Sequence, residues 1–110
     1  MWQRAHRLAL NIYRVTRLFP SEERFGLTAQ MRRSAASIAT NLAEGRSRRS
    51  RAAYASFVDI SLGSAGETDY QLLLGRDLEY IHAREYDSLA SDVQEIRRML
   101  AGLHGSIKAP

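Results

Sequence analysis

The sequence predicts an all-α protein, an antiparallel up-and-down four-helix bundle, and three observations carry that prediction. Apolar residues recur at alternating steps of three and four in four separate stretches. Short connections divide those stretches, marked by Pro20, Gly26, the arginine-rich segment 46–51 and Gly75. No stretch alternates apolar and polar residues over a useful strand length. Helices joined by short connections pack antiparallel to their neighbours in sequence.

The first helix is expected over about residues 2–19. Trp2, Ala5, Leu8, Ala9, Ile12, Tyr13, Thr16 and Phe19 share one face; Arg4, Arg7, Asn11 and Arg14 share another, with Arg17 nearby. Pro20 ends the helix, because the residue before a proline is pushed out of the α region. The next segment, SEERFG, reads as one helical turn: Ser21 as cap, Glu22 and Glu23 at the positive end, Gly26 releasing the chain.

The second helix, about 27–45, organises the rest. Leu27, Met31, Ala35, Ile38 and Leu42 form a narrow apolar seam, while Ser34, Ala36, Ser37, Ala39 and Ala43 keep much of the remaining surface small. Other helices can therefore approach it closely on more than one side. Gly45 is the expected stop.

Segment 46–51, RSRRSR, is read as a tight connection with Ser47 or Ser50 as the N-cap of helix three. That helix is expected over about 51–75, with Tyr54, Phe57, Val58, Ser61, Ala65, Thr68 and Leu72 as its main seam. Ile60, Leu62, Leu73 and Leu74 lie off the seam, so the helix is apolar around more of its girth than a monomeric bundle needs. Such surface marks an interface. Gly63 and Gly66 bracket Ser64 and Ala65 inside this pattern and read as close helix packing rather than as a phosphate loop. Leu78, Tyr80 and Ile81 are expected to pack over the end of the bundle. In the last helix, about 83–105, Tyr86, Leu89, Val93, Ile96, Leu100, Leu103 and Ile107 form the strictest seam, with Gly102, Gly105 and Pro110 predicting fraying.

At 110 residues the chain is one domain, 1–110, large enough to bury roughly two-thirds of its unfolded surface. A hydrophobic share of 45% and a charged share of 25% are ordinary for a globular protein, and the absence of cysteine excludes disulfides and thiolate metal sites and suits a reducing cytoplasm. No apolar run approaches the ~20 residues of a membrane span. The N-terminal segment does not read as a secretory signal, because arginines at 4, 7 and 14 interrupt any apolar core.

The charge is uneven. Up to Ala55 there are eleven arginines and three acids, a net +8; beyond it five bases and nine acids give −4, for +4 overall. Such asymmetry fits a polyanionic partner, a partner surface of opposite sign, or helices that mix these charges within one bundle.

The placed helices resemble the four-helix-bundle family encoded in 23S rRNA intervening sequences, which is related to the accessory protein of diversity-generating retroelements. The resemblance rests on Phe19-Pro20, Glu23, Gly26-Leu27-Thr28, Gln30 and Arg32-Arg33. It continues through Ser37-Ile38, Asn41, Ala43-Glu44-Gly45, Phe57, Gly63-Ser64, Glu67, Ile96, Met99 and Leu100. It covers essentially the whole chain, and the helix end SI-x-x-N-x-AEG after paired arginines is its most specific part. The 46–51 connection is unusually arginine-rich, and Asp77 with Glu79 stands where a more neutral end of helix three is expected. The resemblance implies a bacterial cytoplasmic protein, a ring-like homopentamer and a basic surface suited to RNA or DNA. On the retroelement side of the family it also implies a reverse transcriptase as partner. It implies no known reaction.

Two constellations are candidates for function. Arg46, Arg48, Arg49 and Arg51 sit in one connection and are expected to be exposed together; such a cluster neutralises phosphates in a salt-dependent, sequence-tolerant way, and a ring would repeat it. The Arg4, Arg7 and Arg14 stripe is a second nucleic-acid candidate. The other constellation is Arg32, Arg33, Ser37, Asn41, Glu44 and Glu67, read as a structural or inter-subunit polar network in which Glu44 or Glu67 pairs with Arg32 or Arg33.

Catalysis needs a nucleophile with its base, a metal set or paired carboxylates in a cleft. His6, His82 and His104 lie near helix ends without ligand partners at helical spacing. The expectation is a non-enzymatic protein with no metal or cofactor. Its leading role is a homo-oligomeric nucleic-acid-binding accessory protein, the alternative an oligomeric protein-interaction scaffold.

Overall fold

The computed structural model describes residues 1–108, and its elements are α1 (Trp2–Thr16), a 3₁₀ turn (Ser21–Glu23), α2 (Leu27–Arg46), α3 (Arg51–Asp77) and α4 (Ala83–Lys108). Among the described residues there is no strand. The helices form an elongated four-helix bundle of 47 × 24 × 19 Å in which each is antiparallel to the next. α2 packs broadly on α3 and α3 on α4, while α1 packs on α2 and only lightly on α4. The backbones of α1 and α3 do not approach each other, which puts these two helices at diagonal corners.

One apolar core runs the length of the bundle. Leu8, Ile12, Met31, Ile38, Leu42, Val58, Leu72, Val93, Ile96 and Leu100 are all buried within it. These are the seam residues of the four predicted helices. Across the α2–α3 interface the core is partly polar. Ser34 donates to Gln71 Oε1 at 2.6 Å and lies 2.9 Å from the Thr68 hydroxyl, and Ser61 donates to the Ile38 carbonyl at 3.0 Å. Each is buried and each is paired, so the small hydroxyls let α2 and α3 come close without stranding a polar group.

Several helix boundaries differ from the sequence-based expectation, each for a local reason. α1 stops at Thr16 instead of Phe19, because the Arg17, Leu18 and Phe19 amides turn back to carbonyls three residues earlier. That tightening rotates Phe19 into the core, 8% exposed, ahead of Pro20. Val15 is buried on α1, whereas Tyr13, expected on the apolar face, is 43% exposed. The 3₁₀ turn is not capped by Ser21.

Gly45 does not stop α2, which continues through Arg46. Its role is steric: a Cβ there would lie 2.9 Å from Phe57 Cβ and 3.0 Å from Tyr54 Cδ1. α3 runs two residues past Gly75 to Asp77. Beyond it Ile81 is buried and Tyr80 is half-buried over the bundle end, while Leu78 is exposed to solvent. Gly102 and Gly105 do not fray α4, which is helical through Lys108; Pro110, the third residue of that expectation, lies outside the described residues. Leu103 and Ile107 pack on the core, and the Arg51 guanidinium holds the Ser106 and Ile107 carbonyls.

Candidate nucleic-acid interface

The α2–α3 turn gathers the densest positive charge in the chain. Ser47 closes α2 by donating its hydroxyl to the Glu44 carbonyl at 2.7 Å, and Ser50 opens α3 by accepting the Ala53 amide at 3.0 Å. Arg46, the last residue of α2, and Arg48 and Arg49, between these caps, are all exposed. Arg48 pairs with Glu44 at 2.8 Å, and its guanidinium stacks over the Phe57 ring at 4.9 Å. Arg46 and Arg49 have no partner among the described residues. Arg51, expected in the same cluster, is committed elsewhere: its Nε and Nη2 donate to the Ile107 carbonyl at 3.0 and 2.7 Å. It ties the start of α3 to the end of α4.

The second arginine stripe faces α4. Arg4 lies 3.7 Å from Glu95 and donates to Met99 Sδ at 3.8 Å, and Arg14 donates to Asn11 Oδ1 at 2.8 Å. Arg7 shares an open cavity with Arg4, Asp92 and Ile96. Hydrogen bonding by Arg98 holds the Glu95 carboxyl below the usual carboxylate range, reinforced by the Arg98 charge and more weakly by Arg4, against some desolvation. Part of the charge asymmetry is thus neutralised across the α1–α4 seam. Of the three stripe residues, Arg7 is the one left without a partner among the described residues.

Nor does the polar constellation pair within one chain as expected. Arg32 meets neither Glu44 nor Glu67; it donates to Thr16 Oγ1 at 2.9 Å and to the Tyr13 carbonyl at 3.4 Å, and lies over the Tyr13 ring at 4.8 Å. It caps the end of α1. The cause is the antiparallel packing: the last turn of α1 lies beside the start of α2, which brings Thr16 and the Tyr13 carbonyl within reach of Arg32. Glu44 goes to Arg48, one helical turn away. Ser37 and Asn41 do form a network, with Asn41 Nδ2 donating to Ser37 Oγ at 2.8 Å and Ser37 Oγ 2.8 Å from Ser64 Oγ. Arg33 and Glu67 are exposed and line one open groove along α2–α3, without an ion pair between them.

A profile of the 23S rRNA-intervening sequence protein family matches residues 1–102. The chain belongs to that family. The structure is also similar to a solved protein of unknown function from the S23 ribosomal protein family of Bacteroides thetaiotaomicron VPI-5482. Their TM-score is 0.87 at 30% sequence identity, over 94% of this chain and 93% of that one. No curated protein matches the chain.

Two features of the chain are not apparent from local sequence. One is the buried Ser34–Thr68–Gln71 cluster, whose signal was the polar residues at seam spacing on α3. The other is a groove of about 700 Å³ between α1 and α2, where Trp2 stacks on His6 with ring centroids 5.1 Å apart. Gly63 and Gly66 also correct the close-packing expectation: a Cβ at either would meet nothing within 4 Å. His104 lines a cavity with Ser56 and Asp59, but no hydrogen bond joins them. Among the described residues no three His, Cys, Asp or Glu side chains are grouped to hold a metal, and no helix is long and apolar enough to cross a membrane.

Proposed function

We propose that this protein is a non-enzymatic, homo-oligomeric accessory protein of the cytoplasm that binds RNA or DNA electrostatically through the α2–α3 turn. The observation that carries the reading is the pair of exposed, unpartnered guanidinium groups of Arg46 and Arg49, with Arg48 beside them. Unpaired arginines on a capped, rigid turn meet phosphates without first breaking an internal ion pair. Assembly would repeat the turn and multiply a weak contact. Arg7 is a secondary contact; Arg4, Arg14 and Arg51 serve the fold instead.

The test is binding of a labelled structured RNA at two salt concentrations, comparing the wild type with an Arg46→Ser, Arg48→Ser, Arg49→Ser variant that keeps Arg51. The wild type is expected to bind with a steep salt dependence. The variant should weaken binding, and its slope of log affinity against log salt should be shallower by about two to three units per engaged subunit. Indifference of the wild type to polynucleotide, with assembly retained, would instead support a protein-interaction scaffold. The exposed Ile60 and Tyr70 on α3 favour that second reading.

A further inference from the structure

We infer that the polar groove along α2–α3 binds a free α-amino acid, with the ligand carboxylate at Arg33 and its ammonium group at Glu67. The groove has a volume of about 510 Å³, within the range of small-ligand sites. It lies near the middle of α3, away from the arginine-rich turn that opens that helix.

The decisive group is Gln71, which is only 9% exposed yet lines the groove. Its Oε1 accepts the Ser34 hydroxyl at 2.6 Å, and Ser34 in turn lies 2.9 Å from Thr68 Oγ1. Thr68 donates to the Ser64 carbonyl at 2.9 Å, so the cluster is fixed on both helices. With Oε1 turned to Ser34, the amide nitrogen is directed to the groove, and it has no partner among the described residues. Buried amides are normally satisfied at both ends. A donor held this firmly and left unused suits an acceptor brought from outside the chain.

Arg33 on α2 and Glu67 on α3 supply the charges. Both are exposed, both line the groove, and neither has a partner among the described residues. The Ser34–Thr68 and Ser37–Ser64 contacts fix the register of the two helices and put Arg33 and Glu67 at nearly the same level on opposite walls. No Arg33 nitrogen comes within 4.0 Å of a Glu67 carboxylate oxygen, so the two charges face each other without closing. That gap is complementary to a ligand carrying both charges on neighbouring atoms, as an α-amino acid does. Gln71 Nε2 adds a donor for the carboxylate, and Ile60, 50% exposed, gives the ligand side chain an apolar contact.

The lining disfavours other ligand classes. A phosphate would meet the Glu67 carboxylate, and a simple cation would meet the Arg33 guanidinium. A nucleobase finds no aromatic ring to stack on, which separates this groove from the nucleic-acid reading of the turn. A zwitterion leaves neither charge opposed.

The test is isothermal titration calorimetry of the full-length protein with the common L-amino acids, one at a time, at low salt and neutral pH and without polynucleotide. The best binder is then compared with its amide, which lacks the carboxylate, and its N-acetyl form, which lacks the ammonium group. The wild type is expected to bind at least one aliphatic amino acid in the micromolar to millimolar range, and each derivative at least about tenfold more weakly. Arg33→Gln and Glu67→Gln should each weaken the parent amino acid by a similar factor. Arg33→Gln should also remove the preference over the amide, and Glu67→Gln the preference over the N-acetyl form. Both side chains are exposed and unpartnered, so Tm and circular dichroism should stay at wild-type values and loss of fold does not explain loss of binding. Failure of every amino acid to bind, equal affinity for the derivatives, or binding that survives both substitutions overturns the site.

Discussion

Tyr80 donates its phenolic hydrogen to Glu23 Oε2 at 3.0 Å, while Glu23 Oε1 accepts the Leu27 amide at 3.1 Å. One carboxylate therefore caps α2 and holds the segment that follows α3. Glu23→Ala is expected to cost about 1–2 kcal/mol, the loss of a cap and a hydrogen bond. Thermal melts should show a Tm lowered by about 4–8 °C for each kcal/mol.

The same contact gives a pH signature. The hydrogen bond to Glu23 raises the Tyr80 pKa above its ordinary 10.0, helped by burial and by the charges of Glu23 and Glu22. The folded chain thus holds the phenolic proton more tightly than the unfolded chain. The stabilisation is fully present below pH 10 and lost as pH rises through the folded value. The Tm advantage of wild type over Tyr80→Phe should be flat up to about pH 10 and shrink above it. An advantage that persists unchanged into strong alkali would exclude this linkage.

Two glycines of α2 and α3 should respond in opposite directions to alanine. At Gly45 a Cβ meets Phe57 Cβ at 2.9 Å, so overpacking should destabilise by about 1–3 kcal/mol despite better propensity. At Gly63 the space is open, and the gain should be about 1 kcal/mol. Urea denaturation of both variants against wild type, at one protein concentration, measures the two shifts.

Ser34→Ala removes the donor to Gln71 Oε1 and the neighbour of Thr68 in a buried cluster. The expected cost is about 1–3 kcal/mol, the desolvation of groups left unpaired. Replacing all three together, with Thr68→Val and Gln71→Leu, should cost less than the sum of the single changes. A multiple-mutant cycle by urea denaturation measures that coupling.

Arg51 and Arg46 sit five residues apart with different duties. Arg51→Ser frees the end of α4 and should lower Tm measurably, whereas Arg46→Ser, at an exposed side chain with no partner, should stay within about 0.5 kcal/mol of wild type. Equal effects on stability would mean that Arg51 does not hold the end of α4.

The sequence by itself determined the four helices, their order and the seams that form the core. Leu8, Ile38, Leu72 and Ile96 are buried where the periodicity put them, because a residue's face on a helix follows from local geometry alone. Ser50 was legible as a cap for the same reason: its partner is three residues away. Tertiary structure alone decided where Arg32 and Arg51 go. Both have long side chains whose partners depend on which helix end lies alongside, and local sequence does not encode that distance. The glycines divide in the same way. Gly45 and Gly63 both interrupt helical patterns, yet only the packed bundle shows that one faces Phe57 and the other faces open space.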